Sequence, residues 1–83
     1  MTTITMVTTS GCDLCRHAKD VLDNLSADFN LDIEIVDAAT PKGILLAAQS
    51  GMAFPPAVIL NGQPFSYGRL SERKLRRALT AQR

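Results

Sequence analysis

The chain has 83 residues, a formal net charge of +1, 46% hydrophobic residues and 20% charged ones. This length allows one small domain over residues 1–83 and excludes an enzyme with its own dinucleotide-binding half, while the composition is that of a globular protein. The near-neutral charge excludes a strong global attraction to nucleic acid or anionic membrane, and no apolar run approaches the ~18 residues of a membrane span.

The opening Met1-Thr2-Thr3-Ile4-Thr5 has neither the basic start nor the long apolar stretch of a secretory signal. A cytoplasmic location is therefore the expectation. Thr3 to Thr9 is β-branched and partly alternating, which predicts a strand. Ser10-Gly11 is a turn. From Cys12 the period changes: Leu14, Ala18, Val21, Leu22, Leu25 and Phe29 recur at three- and four-residue steps among charged residues, the pattern of an amphipathic helix. Leu31 to Val36 alternates and predicts a second strand ending at Asp37. Thr40-Pro41 opens a second helix, a hydroxyl cap followed by proline at the first helical position. Ile44, Leu45, Ala47 and Ala48 are expected to carry it, and Gly51 suits its left-handed end.

Phe54-Pro55-Pro56 interrupts the pattern. Ala57 to Leu60 is a continuous apolar run that suits a buried strand, and Asn61-Gly62 signals a tight hairpin returning along Pro64 to Tyr67. Pro64 places that return strand at an edge. Ser71 caps a last helix, with Leu70 and Leu75 in the two positions of a hydrophobic staple. Leu75, Ala78 and Leu79 form its buried stripe. Its cations Arg73, Lys74, Arg76 and Arg77 are read as a solvated face late in the helix, where they suit the dipole; a docking patch for an acidic partner is the alternative. The order β-α-β-α-β-β-α predicts an α/β fold: a four-stranded mixed sheet with helices on both faces.

The chemistry concentrates at Cys12-Asp13-Leu14-Cys15, where a strand hands over to a helix. A structural disulfide gains most from closing a long loop, and this one would close a very short loop, so the pair reads as chemical. A first helical turn has unpaired N–H groups and the positive end of the dipole. A thiolate at Cys12 would accept hydrogen bonds there and become more acidic than a free thiol, whose pKa is about 8.5. Cys15 lies a turn further in, on the apolar side. The pair divides into an attacking thiol and a resolving thiol. Lowering a thiol pKa from about 8.5 to about 7 raises its thiolate fraction at neutral pH roughly fifteen-fold, and reduced basicity returns about five-fold of that. The larger gain is that Cys12 becomes a better leaving group when Cys15 attacks it.

Other readings of the pair stay open: a metal site completed by outside ligands, or inert cysteines. His17 is a poor metal partner for Cys12, about 140° away around a helix, and reads as a surface residue. Tyr67 reads as packing and Asp37 as a turn residue. No phosphate-binding glycine loop, Ser-His-Asp set or acid/base carboxylate pair is present in the sequence.

Gly11-Cys12-Asp13-Leu14-Cys15 after a strand, together with Pro56-Ala57-Val58-Ile59-Leu60-Asn61-Gly62, resembles the glutaredoxin-like proteins of the thioredoxin superfamily. The closing Tyr67-Gly68-Arg69-Leu70-Ser71-Glu72 is similar to that of small glutaredoxin-like proteins. The resemblance spans nearly the whole chain and implies a thioredoxin-like fold. It also implies a cis peptide before Pro56 beside the thiols, Cys12 as nucleophile and Cys15 as resolving thiol. Gly11, Asp13, Leu14, Pro55, Pro56, Tyr67 and Gly68 would then contact substrate.

Four positions depart from the family pattern. Pro55, where a main chain pairs with bound peptide or glutathione, has a carbonyl but no N–H. Thr9 stands where many glutaredoxins have lysine. Tyr67-Gly68-Arg69-Leu70 replaces a Gly-Gly plus acidic segment. These three weigh against glutathione as ligand. The fourth is Asp13-Leu14 between the cysteines, where a carboxylate opposes ionisation of Cys12 and Arg16 partly compensates.

The resulting expectation is a monomeric dithiol oxidoreductase with no cofactor or metal beyond its Cys12–Cys15 pair. It would reduce protein or low-molecular-weight disulfides and draw electrons from a small thiol or a thioredoxin-reductase-type donor. It would bind neither nucleic acid nor membrane. The alternatives are a module handling a metal or iron–sulfur cluster, and a non-catalytic interaction domain.

Overall fold

A computed structural model of the chain describes residues 1–82. The elements are β1 (Thr2–Thr8), α1 (Asp13–Ser26), β2 (Leu31–Asp37), α2 (Pro41–Ser50), β3 (Ala57–Leu60), β4 (Gln63–Tyr67) and α3 (Glu72–Ala81). One sheet has the order β2-β1-β3-β4. β1 pairs in parallel with β2 and antiparallel with β3, and β3 pairs antiparallel with β4. This is the predicted α/β architecture.

Strand alternation divides the core. Ile4, Met6, Val58 and Leu60 face Ala18, Val21, Leu22 and Leu25 of α1 and Leu75 and Leu79 of α3. Val7, Ala57 and Ile59 face the opposite way, toward Ala38, Leu46 and Met52 on the side of α2. Helices thus cover both faces. All three helices begin with a side-chain cap: Cys12 Sγ, Thr40 Oγ1 and Ser71 Oγ accept the N–H of Cys15, Gly43 and Lys74. A hydroxyl cap of this kind contributes about 1 kcal/mol. Leu70 and Leu75 are both buried, as the staple requires. At the hairpin, Asn61 and Gly62 both have positive φ. Asn61 also exchanges two hydrogen bonds with Thr3 (Asn61 N–H to Thr3 O, 2.8 Å; Thr3 N–H to Asn61 Oδ1, 2.9 Å), so the turn is tied to β1.

Three sequence expectations need correction. Phe29 lies beyond the end of α1, although it still packs on the core through the turn that follows. Ile44, Leu45 and Ala48 do not seat α2: Ile44 and Leu45 are 60% and 57% exposed and Ala48 is exposed. Gly43 is buried instead, with no room for a Cβ against the Asp37 carbonyl and Ala38, while Leu46 packs on the sheet. Finally, α3 starts at Glu72, so Arg73 and Lys74 lie in its first turn and no cation lies in its last turn. There they oppose the helix dipole, typically at a cost of about 0.3–1 kcal/mol each.

Candidate active site

β1 ends at Thr8, and residues 9–12 carry the chain to α1. Gly11 takes φ +66°, a left-handed turn that suits glycine. Cys12 follows as the N-cap with extended backbone. Its Sγ accepts the N–H of Cys15 at 3.1 Å. This is one of the first-turn donors that the helix itself cannot satisfy. Cys12 and Cys15 are joined by a disulfide, with Cα atoms 5.2 Å apart. Cys15 is only 4% exposed, whereas Cys12 is half-buried, so the two sulfurs differ in access in the expected sense. Asp13 is exposed and forms an ion pair with Arg16 a turn later. Leu14 is half-buried.

The second wall comes from the other half of the chain. Val7 pairs with Ala57, and Ala57 with Tyr67, so the start of β3 and the end of β4 lie at the same end of the sheet as the Cys12 loop. The Pro55–Pro56 peptide is cis. Pro56 is buried and Pro55 half-buried. The Pro56 carbonyl accepts the Gly68 N–H at 2.9 Å. Gly68 has φ +76°, and a Cβ there would meet Phe54 Cε2 at 2.5 Å.

Phe54 is a site residue that sequence reasoning missed. It makes an edge-to-face contact with Tyr67 (centroids 5.4 Å, interplanar angle 90°), and the two rings are 52% and 46% exposed. An apolar residue in a loop belongs to no periodic pattern; its only signal was its place just before two prolines. His17 also needs correction. It is half-buried, with Nδ1 buried, and lines a cleft of about 280 Å³ with Val21, Arg69, Leu70, Ser71 and Glu72.

Among the described residues no group of three or more His, Cys, Asp or Glu side chains is placed to hold a metal ion. No helix among them is long and apolar enough to cross a membrane. The arrangement is suited to thiol–disulfide redox chemistry: a partly exposed cysteine at a helix start, with a second cysteine buried behind it.

Comparisons with known proteins agree with this geometry. The structure is similar to a mutant thioredoxin from Halobacterium salinarum NRC-1, with TM-score 0.72 and 17% identity, covering 96% of this chain and 73% of that one. It is also similar to an uncharacterised thioredoxin-like protein from Clostridium perfringens, with TM-score 0.79 and 20% identity, covering 98% of this chain and 70% of that one. At these identities the likeness establishes the fold. No curated protein sequence matches. The family model described as "Glutaredoxin-like domain (DUF836)" matches residues 3–80. The chain therefore belongs to the glutaredoxin-like domain family, on a thioredoxin-like fold.

Proposed function

We propose that the protein is a dithiol–disulfide oxidoreductase that reduces disulfides of proteins or small molecules. The observation that carries this reading is Cys12 at the N-cap of α1, bonded to the buried Cys15 and accepting its N–H. In the reduced protein the Cys12 thiolate attacks one sulfur of the substrate disulfide. A Cys12–substrate bond forms, the substrate S–S bond breaks, and the departing thiolate takes a proton from water. Cys15, as thiolate, then attacks Cys12 Sγ. The internal disulfide forms and the second substrate thiolate leaves. Two electrons pass to the substrate, and a thiol or a reductase returns two to the Cys12–Cys15 pair. The helix start acts twice, by stabilising the attacking thiolate and by making Cys12 a good leaving group.

Gly11, Asp13, Leu14, Pro55, Pro56, Tyr67 and Gly68 frame the substrate in this reading. Pro55 offers an extended substrate one carbonyl and no N–H. Thr9 and the Tyr67–Leu70 segment supply no lysine and no acidic pair for glutathione, which favours a reductase or another thiol as donor.

Reduction of bis(2-hydroxyethyl) disulfide, measured with chemical reductant in excess, tests the reading. Cys12→Ser is expected to abolish turnover. Cys15→Ser, reduced beforehand and freed of reductant before the disulfide is added, is expected to stop at a mixed disulfide detectable by mass. An unaltered rate in the Cys12→Ser protein would refute the assignment.

A further inference from the structure

The charges of the chain are segregated. Seven of its eight acidic residues lie in residues 13–37, and five of its nine Lys and Arg lie in residues 69–77, with Glu72 as the single acid among them. One of those five cations is already engaged. Arg76 pairs with Asp28 at 2.8 Å and Glu72 at 3.7 Å and lies over the Phe29 ring. Arg69, Arg73, Lys74 and Arg77 are all exposed, and among the described residues no ion pair reaches them.

Their placement runs against the local physics. Arg73 and Lys74 occupy the first turn of α3, where the dipole favours acidic residues. Glutamate at either position would suit the helix better. Arg73, Lys74 and Arg77 span an arc of about 100° on the helix surface, away from the buried Leu75 and Leu79. Arg69 directly follows Gly68, whose N–H is bonded to the Pro56 carbonyl, so the cations begin beside the prolyl wall; α3 then runs along the C-terminal half of α1, where Glu72 meets Asn24 and Arg76 meets Asp28, to Gln82 beside Thr2 at the opposite end of the sheet. Unpaired charges kept where they disfavour their own helix mark a site under another demand.

We infer that Arg69, Arg73, Lys74 and Arg77 form a docking strip for a protein whose reducible disulfide is flanked by carboxylates. The inference rests on the disulfide-exchange reading and names the class of partner that reading leaves open. Complementary charge would hold an acidic partner along α3, with Arg69 at the end nearest the prolyl wall, and turn away basic ones. A nucleic-acid partner is disfavoured because the +1 net charge is small and the acidic residues of α1, Asp13, Asp20 and Asp23, lie on the same small domain.

The test uses the full chain and two synthetic disulfide peptides of equal length, one flanked by Asp and Glu and the other by Lys and Arg. Bis(2-hydroxyethyl) disulfide serves as the neutral reference. At about 20 mM salt the acidic peptide is expected to react roughly tenfold faster than the basic one, and the preference is expected to collapse by about 0.5 M salt. Arg73→Glu/Lys74→Glu is expected to remove or invert the preference while the neutral disulfide reacts unchanged. The same variant is expected to melt no lower than the parent, because both substitutions complement the helix dipole. A preference that survives in the variant, or that favours the basic peptide from the start, overturns the inference.

Binding of the same fluorescent peptides is followed by anisotropy, without chemistry. If the neutral disulfide is never reduced, the exchange reading fails, and this arm alone judges the strip. Salt-sensitive binding of the acidic peptide that the variant loses sustains it, and equal binding of both peptides overturns it. Tighter binding of a single-stranded DNA oligonucleotide than of the acidic peptide also overturns it.

Discussion

Gly68→Ala separates two contributions that the site combines. At φ +76° an alanine pays a left-handed backbone penalty of about 1–2 kcal/mol. Its Cβ would lie 2.5 Å from Phe54 Cε2 and 3.0 Å from Cζ, so the ring must swing away. That breaks the edge-to-face contact with Tyr67, worth roughly 0.5–1.5 kcal/mol. Reduced freedom of the unfolded chain returns about 0.4–1 kcal/mol. The expected net loss is about 2 kcal/mol, which for a domain of this size lowers the melting temperature by roughly 8–16 °C. Gly51→Ala is the matched control. Gly51 has φ +69° with nothing within 4 Å of a new Cβ, so only backbone strain and the unfolded-state gain remain. Its loss is expected to be under about 1 kcal/mol. Thermal unfolding of both variants, followed by circular dichroism, gives the difference. Equal melting temperatures would show that the Phe54–Tyr67 ridge does not rest on Gly68. The Gly68 variant is also expected to alkylate reduced Cys12 at the parental rate while reducing peptide disulfides more slowly, because the displaced ring directly precedes Pro55 in the prolyl loop, whereas Cys12 Sγ is held by the N–H of Cys15.

Asp13→Asn is expected to speed iodoacetamide alkylation of reduced Cys12 near neutral pH, because a carboxylate beside the sulfur opposes its ionisation. The gain is small because Asp13 is already paired with Arg16; a slower or unchanged rate across a pH titration would contradict this. Arg16→Ala is expected to act in the opposite sense in the same assay. Gly43→Ala places a Cβ against main-chain atoms of Asp37 and Ala38 that cannot rotate aside, and is expected to cost at least about 1–3 kcal/mol in urea unfolding. Leu75→Ala empties a fully buried position between α3 and the sheet and is expected to cost about 2–5 kcal/mol by the same measurement.

Most of the architecture was legible because local signals agreed with one another. The period change at Cys12, the hydroxyls at Thr40 and Ser71, and Asn61-Gly62 each marked a boundary that the structure keeps. The site was legible where it is local, since a sulfur placed just before a helix must meet that helix's free N–H groups. Errors arose where tertiary packing decides. Phe29 continued a helical spacing that the chain abandons after Ser26, yet the turn still returns the ring to the core. In α2 a run of apolar residues gave no sign of which side meets the sheet; close packing at Gly43 settles it and leaves Ile44 and Leu45 outside. Phe54 gained its neighbour only through the β3–β4 pairing that brings Tyr67 alongside.

That pairing has a bearing on selectivity. The Cys12–Cys15 turn assembles from neighbours in sequence, but its facing wall arrives only when β3 docks antiparallel on β1 and β4 on β3. Under the proposed exchange chemistry, a chain still lacking those strands would carry the sulfur pair with no prolyl wall to screen what approaches it. In the proposed function, discrimination among disulfides would thus be a property of the finished sheet. Variants that loosen β3 or β4 are expected to become indiscriminate exchangers before they become inactive ones.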